Sequence, residues 1–216
     1  VRAVTPDGIT PHWARHGGNL LNIPNLLIWY LNLMFMEIAI IVKSIKEGID
    51  RLGQQDTWLW QNDLSERSLA HRLAVYLEPL FPGYDVDCEY NGDVGSLDGQ
   101  KRIFMLEQQL RQAIGVKKFE SDFMENEVID RLVFPDIIVH RRGTNEHNLC
   151  VLEIKKSTSR VPAHYDRLKL SAYTSNVNGN TLRYKLGVFI LLRMDVHVQY
   201  ELEFFQNGDV IHLSGN

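Results

Sequence analysis

Two apolar runs mark the middle of the chain, Ile137-Ile138-Val139 and Leu149 to Ile154, and the segment between them, Arg141 to Asn148, is polar with a glycine at 143. That pattern predicts a β-hairpin. Three charged residues, Asp136, Glu153 and Lys155, interrupt the runs, and an ionised group inside a sheet is costly unless it is paired or binds a metal. Residues two apart on a strand share a face, so Glu153 and Lys155 point one way and Leu152 and Ile154 the other. A turn centred near Asn145 and Glu146 sets Asp136 opposite Lys155 and Ile138 opposite Glu153, with all three charges on one face. A slip of one residue would send Asp136 to the far side.

The same reading places the other elements. Leu20 to Val42 is apolar over about the length of a membrane span, but Asn22, Pro24, Asn25, Asn32 and Glu37 interrupt it. Ile38, Ile41, Val42, Ile45, Ile49 and Leu52 continue at helical spacing beside Lys43, Lys46, Glu47 and Asp50. An amphipathic docking helix from Met34 to Leu52 follows, with a membrane anchor as the alternative. A second helix opens at Asp63 or Ser65, carries the stripe Leu69, Leu73, Tyr76, Leu77 and Leu80, and ends at Pro82-Gly83. Tyr84 to Tyr90 alternates as a first strand, turned by Asn91-Gly92. Residues 94–130, with a helical FMLEQQLRQAI and an acid-rich Glu120 to Asp130, read as an insertion that makes a surface excursion. Asp166 to Thr174 is a helix with Asp166, Lys169 and Tyr173 on one side. Tyr184 to Leu192 is a buried strand, and the alternation from Val196 to Phe204 with Asn207-Gly208 predicts a terminal hairpin.

Composition adds limits. The 216 residues, 44% hydrophobic and 23% charged, suit one domain, 53–216, plus an N-terminal extension with its helix, 1–52. Residues 1–19 read as an irregular lead, and Met34 or Met36 is a candidate start of translation. Cys88 and Cys150 lack metal-site spacing and read as buried thiols in a reducing, cytoplasmic setting. The eight histidines form no zinc-type cluster, although His140 shares the face of Asp136. No repeat, phosphate-binding glycine loop or nucleophile elbow is present. The formal charge of -4 is uneven: Arg131 to Arg193 holds eleven Lys/Arg against four Asp/Glu. Arg141, Arg142, Lys156, Arg160, Arg167 and Lys169 would therefore meet a phosphate backbone near the charged face, unless the excess is only a solvated surface.

Two carboxylates converging on one point form a hard oxygen site for magnesium or manganese, and a lysine beside them can orient or deprotonate an attacking water. Pro135-Asp136, sixteen intervening residues and Glu153-Ile154-Lys155 resemble the PD-(D/E)xK motif of the restriction-endonuclease-like nuclease superfamily. The segments PDIIVHRRG and VLEIKKS and the later DRLKL are similar to an uncharacterised bacterial or phage branch of it, over roughly Leu64 to Leu192. The resemblance implies an α/β fold, a restriction-endonuclease-like core with a central mixed sheet flanked by helices. It also implies a metal-dependent nuclease in which Asp136 and Glu153 hold magnesium or manganese, the Ile154 carbonyl completes the shell and Lys155 positions the water. In the superfamily the helix before the sheet often adds an acidic residue; Glu66 is the position that looks like it, with Glu78 as its competitor. The expected partner is nucleic acid, DNA before RNA, bound through Arg141, Arg142, Lys156 and Lys169, with a membrane-tethered protein, which the N-terminal apolar run permits, kept as a further alternative. Two alternatives stand beside it: a binding or regulatory module of the same fold without turnover, and an edge hairpin whose charges are a solvated cluster.

Overall fold

The computed structural model describes residues 23–115, 127–194 and 199–213. The lead over residues 1–19, the start of the Leu20 run, most of the acid-rich stretch after Glu120, and Val196 and Val198 lie outside the described residues. The chain divides into two compact units, Val1–Ile40 and Ile41–Asn216. Helix α1, Ile23–Gln55, begins in the first and continues into the second, so it is longer than the expected 34–52 at both ends. The division falls inside the helix. Among the described residues no helix is long and apolar enough to cross a membrane; Asn25, Asn32, Glu37 and Lys43 break up the run.

Within the second unit the expected stripe is buried: Ile41, Val42, Ile45, Ile49 and Leu52 are all inside. Gly48 lies on the same helix, and a Cβ there would stand 2.6 Å from Leu77 Cδ2. That clash explains why the smallest residue sits where α1 meets the next long helix. A short helix α2, Thr57–Gln61, leads to α3, Glu66–Leu77. The Ser65 hydroxyl caps α3 by accepting from the Ser68 N–H at 3.2 Å, satisfying one of the open donors of the first turn. Leu69, Leu73 and Leu77 are fully buried. The helix tightens into a 3₁₀ turn at Glu78–Leu80, earlier than Pro82 would dictate, because Pro79 cannot continue the α-helical bonding.

The sheet has six strands in the order β1-β4-β5-β6-β7-β8. They are β1 Asp85–Cys88, β4 Ile137–His140, β5 Cys150–Lys156, β6 Leu186–Arg193, β7 Gln199–Gln206 and β8 Asp209–Ile211. Every pairing is antiparallel except β5 with β6, which is parallel. The sheet is therefore mixed, as expected, and the parallel pair requires a crossover. Helix α5, His164–Thr174, supplies it and packs on β5, β6 and β7. Helix α3 packs on β1, β4 and β5. At the end of the chain Asn207 and Gly208 both have positive φ, 54° and 92°, the primed turn whose twist suits a hairpin.

Residues 94–130 depart from expectation. Part of the stretch read as helical is a strand, β2 Arg102–Leu106, which pairs with β3 Val128–Leu132; only α4, Glu107–Ala113, is helical. Far from making a surface excursion, the segment inserts Ile103, Met105 and Leu110 into one cluster with Ile138, Val151, Leu170, Tyr173 and Phe189. Alternation explains it, since Ile103 and Met105 face inward while Arg102 and Phe104 do not. The hairpin thus forms part of the support for α5. Ile103→Ala and Met105→Ala should each cost about 2–5 kcal/mol, read from urea unfolding. Near-parental stability in both would mean that the hairpin does not belong to the core.

Candidate active site at the open edge of strand β5

Strand β5 is paired with β6 along its whole length, Cys150 to Lys156. On its other side β4 is shorter, and the ladder stops at Ile137 opposite Leu152. Beyond that point the backbone donors of β5 have no strand to meet, and a buried N–H without an acceptor costs about 1–3 kcal/mol. Side chains fill the gap. The Ile154 N–H donates to Asp136 Oδ2 at 2.7 Å, and the Lys156 N–H donates to Glu66 Oε1 at 3.0 Å. Two carboxylates, one entering from the residue before β4 and one from the first turn of α3, stand in for the missing strand.

The hairpin register differs from the expected one by two residues. Ile138 pairs with Val151, not with Glu153, and continuing the ladder brings Asp136 abreast of Glu153 rather than of Lys155. A shift of two preserves the face. The turn is built from a tight segment at Arg142-Gly143, with Gly143 at a φ of 82°, so its centre lies before Asn145-Glu146. The consequence is a closer pairing of the two carboxylates, with Lys155 one step further along.

Above this face runs α5. As a crossover helix it starts near the end of β5 and returns against it, so successive helix positions meet successive strand positions in reverse. Asp166 Oδ2 lies 3.0 Å from Lys155 Nζ, and Lys169 Nζ lies 2.6 Å from Glu153 Oε2. One helical step of three residues, about 4.5 Å, runs against one strand step of two, about 6.6 Å. Asp166 Oδ1 also accepts Lys169 at 3.0 Å, and Lys155 reaches Glu66 Oε2 at 3.5 Å. Glu66, Lys155, Asp166, Lys169 and Glu153 form one chain of alternating charge. With Asp136, four carboxylates face two ammonium groups, leaving the cluster two negative charges in excess when all are ionised.

Burial decides how that charge is carried. It raises the Asp136 carboxyl above its ordinary value, against the opposing effect of the Ile154 N–H. It pushes Glu153 up to about 8, with Lys169 opposing and Asp136 adding to the rise. Burial alone would lower both lysines. For Lys155 the bond to Asp166 outweighs it, and for Lys169 the charges of Glu153 and Asp166 do, so both are held above the usual lysine value. Both therefore remain ammonium groups at neutral pH. Among the described residues two buried side-chain atoms have no partner, Glu153 Oε1 and the Tyr173 hydroxyl, and both belong to this face.

The structure brings together Glu66, Asp136, Glu153, Lys155 and Lys169 and separates them from the arginines. Arg141 and Arg142 lie past the other end of β4, about 17–20 Å from Asp136 at the usual strand rise per residue. There Arg141 donates to the Gly83 carbonyl at 3.0 Å, and Arg142 pairs with Asp87 at 2.5 Å. Lys156 pairs with Asp63 at 2.7 Å, Arg167 with Glu203 and Arg193 with Glu201. Arg142, Lys156, Arg167 and Arg193 are thus each paired with an acid from outside the Arg131 to Arg193 segment. Lys169, read as a phosphate contact, is committed to Glu153. His140 bonds Asp87 at 3.0 Å, away from Asp136. Glu78 lies in the turn after α3, while Glu66 is the α3 acid that reaches the site. Asp166 was visible on the active side of its helix, but its role as the bridge between two lysines requires the crossover geometry. Cys150 is buried and Cys88 half-buried, both free.

No protein-family model, curated protein or solved structure matches this chain. Among the described residues no three His, Cys, Asp or Glu side chains converge into a preformed metal cage. The donors that fit a hard divalent ion are two carboxylates, Asp136 and Glu153, and a backbone carbonyl. The carbonyl is that of Ile154, because in an extended strand the C=O of a residue leaves on the same side as its N–H, here toward Asp136. The orphaned Glu153 oxygen is the observation that favours such an ion over a closed ion-pair network.

Asp136 gives a clean stability test. Asp136→Asn keeps an oxygen for the Ile154 N–H and removes a carboxylate that burial disfavours as an anion, so the metal-free variant should melt no lower than the parent. Asp136→Ala leaves the Ile154 N–H without an acceptor and should lose about 1–3 kcal/mol. Thermal unfolding in EDTA distinguishes them, and equal losses in both would contradict the edge-capping role.

Proposed function

We propose that the protein is a metal-dependent phosphodiesterase of the nuclease type with DNA as its substrate, and that its sheet is a restriction-endonuclease-like core. The β4–β5 hairpin followed by a crossover helix and a parallel strand supports the fold reading. The observation that carries the functional reading is the pair Asp136 and Glu153, abreast on one face, with a buried carboxylate oxygen that no protein group satisfies. Magnesium or manganese held there by Asp136, Glu153 and the Ile154 carbonyl would polarise the scissile phosphate and lower the pKa of the attacking water.

The remaining roles belong to the chain itself. Asp136 keeps Oδ2 on the Ile154 N–H, which fixes the carboxylate plane and presents its other oxygen. Lys155 is held between Asp166 and Glu66 and stays charged, so it orients water and stabilises charge developing on a phosphate oxygen; it does not remove the proton. Glu66 is a positioning residue, since it acts through Lys155 and the Lys156 N–H. A second reading, a binding or regulatory module without turnover, is favoured by the Lys169 contact, which already neutralises Glu153 without any metal.

Cleavage of single- and double-stranded DNA should require magnesium or manganese and stop in EDTA. Asp136→Asn, Glu153→Gln and Lys155→Ala should each lower the rate on the order of 100-fold or more, as for other single groups that stabilise developing charge. No metal-dependent cleavage of DNA or RNA that these substitutions remove would transfer the site to the binding-module reading.

A further inference from the structure

Lysines on helices ordinarily extend into water, yet the Lys169 side chain is only 13% exposed and its ammonium contacts Glu153 at 2.6 Å. Its charge also acts on Asp136. One ammonium therefore bonds one of the two carboxylates assigned above to a divalent ion and lies close enough for its charge to favour the other as an anion. Lys155 differs, because its bonds go to Asp166 and Glu66. A divalent cation at Asp136 and Glu153 would repel Lys169 at close range, and it would leave Lys155 in its present contacts. Asp166, one turn earlier on the same helix, grips Lys169 from its other side at 3.0 Å. Once released from Glu153 the ammonium would still be tethered at the mouth of the site.

Resting on the metal site proposed above, we propose that Lys169 is an internal stand-in cation. Its ammonium holds Glu153 in the metal-free protein, a divalent ion displaces it, and the displaced group, tethered by Asp166, takes a phosphate oxygen of the nucleic acid. Two consequences follow from charge alone. The lysine opposes metal loading, so its removal tightens metal binding. It also couples loading to substrate, since an ammonium becomes available to phosphate only after the ion has entered. Lys169 is then a positioning residue in the free protein and a substrate contact in the loaded one.

The test is calorimetric titration of the full chain and of Lys169→Met and Lys169→Gln with manganese chloride, alongside Glu153→Gln. Gln retains a hydrogen-bond donor for Glu153 without the charge, which protects the experiment if Met at 169 does not fold. Both variants should melt lower than the parent in EDTA, bind manganese roughly tenfold more tightly and regain more stability on loading. Manganese binding that Glu153→Gln abolishes but that neither Lys169 variant tightens would overturn the stand-in role while leaving the metal site intact. Absence of saturable binding in the parent and in both variants would overturn the metal site and the inference together. Binding by the variants alone would support the inference in its strongest form.

Discussion

A difference in strand length underlies the site. Strand β4 ends while β5 continues, and the N–H groups of Ile154 and Lys156 must be satisfied by something other than a neighbouring strand. Asp136 and Glu66 do this with carboxylate oxygens. The same bonds that complete the backbone thus fix two acids beside the end of β5 that β4 leaves unpaired. Glu153 and Lys155 are delivered to that place by strand alternation, and α5 is delivered by the crossover that a parallel β5–β6 pair demands. A site built this way inherits its precision from obligatory main-chain bonding rather than from side-chain packing alone.

Its charge cannot close on itself. Three carboxylates and two ammonium groups are bonded in a chain with Asp136 beside it, and the surplus collects at Asp136 and Glu153, the two acids that burial most disfavours as anions. Removing a partner from such a cluster is expensive, whereas adding a cation relieves it. The electrostatics also constrain the chemistry. Both lysines are held above their ordinary values, so neither suits the role of a general base at neutral pH, and proton removal falls to the water itself or to an acid.

Much of this was legible in the sequence because it depends on period-two alternation. Asp136, Glu153 and Lys155 share a face in the predicted and in the observed register alike, since the error of two residues leaves parity unchanged. The hairpin, α3 with its Ser65 cap, the buried strand that became β6 and the turn at Asn207-Gly208 follow from equally local rules. What local rules cannot supply is distance. They could not tell that Arg141 and Arg142 lie at the far end of β4, Arg141 on the Gly83 carbonyl and Arg142 against Asp85 and Asp87, nor that the 94–130 segment returns Ile103 and Met105 to the core. Lys169 read as a phosphate contact or a solvated helix lysine because nothing in its neighbours along the chain reveals Glu153 beneath it.

The central claim is that Asp136 and Glu153 share one divalent ion in place of Lys169. Crystals of the full chain grown with manganese, with diffraction recorded at the manganese absorption edge, test it most directly. The account predicts one strong anomalous peak within roughly 2.0–2.6 Å of a carboxyl oxygen from each residue, with the Lys169 ammonium no longer bonded to Glu153. A peak elsewhere, or a Lys169–Glu153 contact that persists unchanged in the manganese-soaked protein, would contradict it.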